Sequence, residues 1–120
     1  MKLCFCVPLP PSINHAYFYK GGKKIKTKTT RDYETIVKKI AIDLLEDNNA
    51  EMFPDKTKLV MDMTYYFPDH IKRDTHNTFK IPLDAMEKIL YKDDYWVLPR
   101  IKDFIVEKGR REVYIELYIK

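Results

Sequence analysis

The chain predicts an α+β fold: one domain over residues 1–120, with a mixed four- to five-stranded sheet and two main helices. Three observations carry this reading. Several short runs alternate apolar and polar residues, as strands do. Two longer segments repeat apolar residues at spacings of three and four, as amphipathic helices do. Proline- and glycine-marked breaks separate most of these runs.

Lys2-Leu3-Cys4-Phe5-Cys6-Val7 predicts a first strand, closed by Pro8-Leu9-Pro10-Pro11. Ala16 to Tyr19 and Lys24 to Thr29 flank Gly21-Gly22, a good hairpin signal. Thr30 can cap a helix from about Arg31 to Glu46, in which Tyr33, Ile36, Val37, Ile40, Ala41, Leu44 and Leu45 form one apolar stripe. Lys58 to Phe67 places Leu59, Met61, Met63, Tyr65 and Phe67 on one strand face, and Pro68 stops it. A second helix is expected from about Asn77 to Leu90, with Phe79, Leu83, Met86, Ile89 and Leu90 inward and Pro82 tolerated only in the first turn. Two last strands, about Val97 to Lys108 and Arg110 to Lys120, meet at a tight turn around Gly109.

A chain of 120 residues with 45% hydrophobic residues has material for a real core, and its spread of aromatic and β-branched residues argues against disorder. Its 22 basic and 18 acidic residues leave +4, which permits nucleic-acid binding without demanding it. Cys4 and Cys6 are the only cysteines; at i and i+2 in a strand they stand about 7 Å apart, too far for an unstrained bridge. They read as two buried, reduced thiols of a cytoplasmic protein. The N-terminal apolar run is broken by prolines and is no signal peptide, and no apolar run is long enough to span a membrane.

The chemistry concentrates in Arg73-Asp74-Thr75-His76-Asn77-Thr78-Phe79-Lys80, with Asp84 four residues on and Asp93-Asp94 beyond. In an extended chain Asp74 and His76 point the same way, and once the chain turns helical His76, Lys80 and Asp84 step along one stripe. One end of the sheet can then collect Asp74, His76, Lys80 and Asp93 or Asp94. Such carboxylates suit Mg²⁺, with substrate phosphate completing its shell, and a lysine can offset charge on a phosphodiester under attack. The same residues also read as a surface ion pair and ordinary turn carboxylates.

These residues resemble a known family. Pro10-Pro11-Ser12-Ile13-Asn14, then Asp74-Thr75-His76-Asn77-Thr78-Phe79-Lys80, Leu83-Asp84-Ala85-Met86 and Asp93-Asp94 follow, in order and at matching lengths, the motifs of the RusA-type crossover junction endodeoxyribonucleases. That family comprises small, mostly phage-encoded resolvases of Holliday junctions. The resemblance implies a RusA-like nuclease domain, Asp74 and Asp94 as metal-binding catalytic carboxylates, Lys80 as the essential lysine, and Asn77, Asp84 and Asp93 in support. It also implies a homodimer, consistent with the need for two nicks in opposed strands. One departure stands out: His76 occupies the place of a second aspartate. Imidazole suits Mn²⁺ better than Mg²⁺. Ligand, general base and simple hydrogen-bonding residue all remain open for His76.

Lys20, Lys23, Lys24, Lys26, Lys28 and Arg31 form an uninterrupted basic run, with Lys24, Lys26 and Lys28 on one face if the strand is regular. With Asn14 and Arg73 they are candidates for contact with branched DNA, although edge-strand lysines also serve simply to discourage aggregation. Tyr17, Phe18 and Tyr19 are expected to pack rather than stack on bases. Tyr95 and Trp96 are expected to pack beneath the acidic turn and orient Asp94. His15 and His70 read as surface residues, and Lys38-Lys39 and Arg110-Arg111 as phosphate contacts or surface charge. The last apolar strand, from Tyr114 to Ile119, is a candidate for core or interface. The reading is thus a Mg²⁺- or Mn²⁺-dependent endonuclease of four-way junctions, with no small-molecule cofactor and no membrane partner. Its rivals are a non-catalytic binder of branched DNA and a nuclease of flap or single-stranded DNA.

Overall fold

The computed structural model describes every residue except Asn77. In chain order the elements are β1 (Lys2–Pro8), α1 (Ile13–Ala16), β2 (Tyr17–Lys20), β3 (Lys23–Lys26), α2 (Lys28–Asp47), β4 (Leu59–Phe67), α3 (Lys80–Met86), β5 (Val97–Val106) and β6 (Glu112–Ile119). A 3-10 turn at Asp94–Trp96 leads into β5. Four strands form a mixed sheet in the order β1-β6-β4-β5, and β2 and β3 form a separate two-stranded hairpin. The α+β expectation with two main helices holds.

Side-chain alternation makes the two sheet faces different. On one face the rows Leu3-Leu117-Met61, Phe5-Ile115-Met63 and Val7-Val113-Tyr65 run across β1, β6 and β4. All are buried, and Tyr33, Val37 and Ala41 of α2 join Ile81, Leu83 and Met86 of α3 in the same core. The other face carries Cys4, Cys6, Glu116, Asp62 and Arg100. Cys4 is therefore exposed and Cys6 half-buried, contrary to the expectation of two buried thiols, because Leu3, Phe5 and Val7 claim the core face. Both cysteines are free. Among the described residues no helix is long and apolar enough to cross a membrane.

Several boundaries differ from expectation. Helix α2 starts at Lys28 because Thr27, not Thr30, is its cap: Thr27 Oγ1 accepts from Thr30 N–H. Thr30 is buried and donates instead to the carbonyl of Ala16, fastening the helix to the hairpin. The apolar stripe is narrower than its spacing suggests, since Ile36 is exposed. Helix α3 is half the expected length. It begins at Lys80, so Pro82 falls in its first turn where no N–H is missed, and it ends at Met86 because Glu87 turns extended, with Lys88 following at φ 73°. Leu90 nonetheless reaches the core, while Phe79 and Ile89 pack at its margin.

The last two strands are consecutive yet do not pair with each other. β5 lies parallel to β4 on one side and β6 antiparallel to it on the other, so the turn around Gly109 passes over the end of β4. Arg110 secures that crossing. Its guanidinium sits 3.4 Å from the centre of the Tyr66 ring and donates to Glu107 and Glu112. Arg110 thus has a structural role at this turn.

Candidate functional site

The loop after β4 turns the chain toward α3. Tyr65 of β4 and Thr78 hydrogen-bond at 3.1 Å in the interior, and Thr78 Oγ1 also donates to the carbonyl of Asp74 at 3.4 Å. This pins the start of α3 against the sheet and projects Lys80 from its first residue. From the other direction, the 3-10 turn before β5 brings Asp94 to meet it. Lys80 Nζ lies 2.6 Å from Asp94 Oδ2 and 3.1 Å from Asp84 Oδ1.

Glu87 completes the arrangement. The break at Lys88 lets its carboxylate accept the backbone N–H of Asp94 at 3.1 Å. Carboxylate oxygens of Glu87, Asp93 and Asp94 lie within 4.8 Å of one another, the spacing at which acidic groups can share a cation. Asp93 also caps the 3-10 turn by accepting from Tyr95 N–H at 2.9 Å. These are hard oxygen donors, a set that fits Mg²⁺ or Mn²⁺.

The local electrostatics separate two neighbouring acids. Lys80 beside Asp94 holds that carboxyl below its ordinary value, whereas burial, and then the hydrogen bond with Asp94, pushes Asp84 up. Lys80 is itself raised, chiefly by its bond to Asp94. Tyr17, the first residue of the hairpin, is raised by burial and then by the charge of Asp84, so the hairpin base stands beside this cluster.

Asp74 and His76 lie just before α3, outside the group of three carboxylates. The chain bends here rather than running extended: His76 N–H donates to Asp74 Oδ1 at 2.8 Å. Because α3 begins only at Lys80, His76 is not on its stripe, although Lys80 and Asp84 keep the expected spacing. Asn77 lies outside the described residues. Asp74 is at the boundary of two clefts of about 520 and 610 Å³, which share Phe67, Lys72, Arg73 and Asp74. Asn14 and Arg111 line the first and His76 the second. Arg73 pairs with Asp69 at 2.7 Å and leans over Phe67.

The basic run is divided among several jobs. Lys20, Lys23 and Lys24 surround the hairpin turn and are exposed, with Lys24 Nζ 4.1 Å from the centre of the Tyr17 ring. Lys26 pairs with the buried Glu34. Lys28 is the first residue of α2, paired with Asp32, so it does not extend a strand comb of lysines; Arg31 follows in the same helix turn. Tyr17 packs at the core margin as expected, but Phe18 and Tyr19 are exposed because a two-stranded hairpin has nothing to cover its outer face. Tyr95 is likewise exposed and meets Trp96 edge-on, so Glu87 and Lys80, not these rings, orient Asp94. Glu87 escapes sequence reasoning because only the unforeseen end of α3 swings it into place. Its position three residues after Asp84 was the available signal.

Exposed His15 bonds to Ser12 Oγ at 2.6 Å, and exposed His70 lines the second cleft. Lys38 is exposed, Lys39 pairs with Asp43, and Arg111 is exposed at the first cleft. Among curated proteins none matches this chain significantly. The family model described as endodeoxyribonuclease RusA, however, matches residues 8–118, from the end of β1 to the penultimate residue of β6. A match of that extent makes the chain a member of the RusA family of endodeoxyribonucleases.

Proposed function

We propose that this protein is a divalent-metal-dependent endonuclease that resolves four-way DNA junctions by paired nicks during recombination and repair. The observation that carries the reading is Lys80 held between Asp84 and Asp94, with Glu87 and Asp93 adjoining, in a chain of this family. A divalent cation bound by such carboxylates supplies charge neutralisation and water activation near neutral pH. Asp94, Glu87 and Asp93 would hold the ion, with Asp74 and His76 as further candidate ligands from the turn before α3.

Lys80 is in our reading the residue that meets the phosphate. Its ammonium, already oriented by two carboxylates, offsets charge that grows on the phosphate oxygens. Asp84, with its raised carboxyl, holds Lys80 in line and limits competition for it. The exposed Lys20, Lys23 and Lys24 provide sequence-independent attraction to the duplex arms, and Arg73 and Asn14 contact DNA at the cleft. Two opposed nicks call for a homodimer with one site per subunit. We assign its action to the cytoplasm, where Cys4 and Cys6 stay reduced.

The test is one panel: labelled four-way junction, flap, single strand and linear duplex, each with Mg²⁺, Mn²⁺ or chelator, cut by wild type and by Asp94→Asn and Asp74→Asn. Metal-dependent, paired nicking confined to the junction, lost in both variants while binding persists, is expected. Binding without cutting under every metal points to the non-catalytic reading. Preferential cutting of the flap or single strand points to the other nuclease.

A further inference from the structure

Apart from Asn14 the Pro10-Pro11-Ser12-Ile13-Asn14 segment has no part in the chemistry above, yet Pro10, Ser12, Ile13 and Asn14 line the 520 Å³ cleft together with Lys72, Arg73 and Asp74. Its lining is divided by character. Leu9, Pro10 and Ile13 give an apolar side, Tyr65 and Phe67 an aromatic floor, and Lys72, Arg73 and Arg111 a cationic rim. Ile13 is exposed, so its side chain is available to an occupant of the cleft. Asn14 is exposed in the same cleft, with an amide free of backbone duty among the described residues.

We infer that this cleft is a nucleotide subsite: it takes one unstacked nucleotide next to the bond that is cut. The base lies on Pro10 and Ile13 above the Phe67 floor, Asn14 meets a base edge, and Arg73 and Arg111 hold the adjoining phosphates. Three features support this occupant. The volume suits a single nucleotide rather than a duplex. Lys72, Arg73 and Arg111 still outnumber the carboxylates at hand, Asp74 in the lining and the Asp69 that pairs with Arg73, as suits an anionic backbone. An amide offers the paired donor and acceptor that base edges require. At a four-way branch point a base leaves its stack at reduced cost, because stacking across the branch is lost when the arms open. The inference rests on the junction reading and deepens it, by assigning base preference to a place.

The experiment uses the full chain in chelator, where nothing is cut. Junctions carry 2-aminopurine at each successive position around the branch, and gel retardation is run on the same samples. At one position beside the branch, binding of wild type is expected to change probe fluorescence severalfold. Ile13→Trp, which fills the cleft from an exposed position, and Asn14→Ala should both return the signal toward that of free junction at protein concentrations raised until all the junction is retained. With metal restored, Asn14→Ala should even out the choice between bases at that position by about tenfold. A retained junction in which no position responds, or a response that survives both variants, overturns the subsite. A junction not retained by wild type overturns the junction reading itself, and the subsite with it.

Discussion

Lys80 and Asp94 stand 14 residues apart in sequence and 2.6 Å apart in space, so the first residue of α3 and the turn before β5 are closed on each other by one charged hydrogen bond. Removing the ammonium should therefore be read as chemistry, not only as stability. Lys80→Met is expected to lower the single-turnover rate by about two to three orders of magnitude, the usual cost of one charge-stabilising donor. Junction affinity in chelator should change little. Equal losses of rate and affinity would argue that Lys80 only binds DNA.

Glu87 should announce itself through the metal. Glu87→Gln keeps the size of the side chain and removes its charge, so the half-activating Mn²⁺ or Mg²⁺ concentration is expected to rise about tenfold or more. The maximal rate at saturating metal should fall less. An unchanged metal titration would remove Glu87 from the cation site and leave it as the acceptor of the Asp94 N–H alone.

His76 can be judged from metal preference. If imidazole takes part in ligation, cleavage should favour Mn²⁺, and His76→Asp should shift the preference toward Mg²⁺. Equal activity of the wild type in the two metals at matched concentrations would count against His76 as a ligand.

The pH dependence of stability should separate the two acids. Asp94 is lowered, so the stability it adds is present above the ordinary 3.8 and is lost only as pH falls through its folded value below that. Lys80 is raised, so its share is present below 10.5 and lost as pH climbs through its folded value above that. Asp84 runs the other way: a raised acid binds its proton more tightly folded than unfolded, and ionising it costs stability as pH passes upward from 3.8. Asp84→Asn should accordingly raise the thermal midpoint at neutral pH by a few degrees while slowing cleavage. A lower midpoint would mean that its bond to Lys80 outweighs the cost of burial.

The hairpin lysines should differ in their use. Replacing exposed Lys23 or Lys24 by Ala is expected to reduce the slope of log affinity against log salt by about one for each phosphate left without its lysine. Lys26→Ala, which leaves buried Glu34 without its cation, should instead lower thermal stability. Identical salt slopes for all of these variants and wild type would take the hairpin away from the DNA.

Much of the fold is legible in the chain itself, for identifiable reasons. The strand from Leu59 and the stripe on α2 are read from strict alternation and three-four spacing, because burial on one face dictates them. Lys80 and Asp84 are one helical turn apart and would meet in any helix. What escapes depends on interactions between distant segments. The capping role of Thr27 instead of Thr30 follows from the claim of Ala16 O on Thr30. The early end of α3 comes with an extended Glu87 and a left-handed Lys88, whose N–H donates to Tyr91 O at 2.7 Å. Glu87 joins the acidic group only through that turn.

The open face of the sheet has its own anchor. Asp62 is 5% exposed and accepts from Arg100 Nε at 2.7 Å and from Tyr118 Oη at 2.7 Å, linking β4, β5 and β6. Because β6 lies between β1 and β4, it is the seam of the whole sheet. Loss of β6 would separate β1 from the β4–β5 pair, so closure of this sheet depends on contacts between segments far apart along the chain.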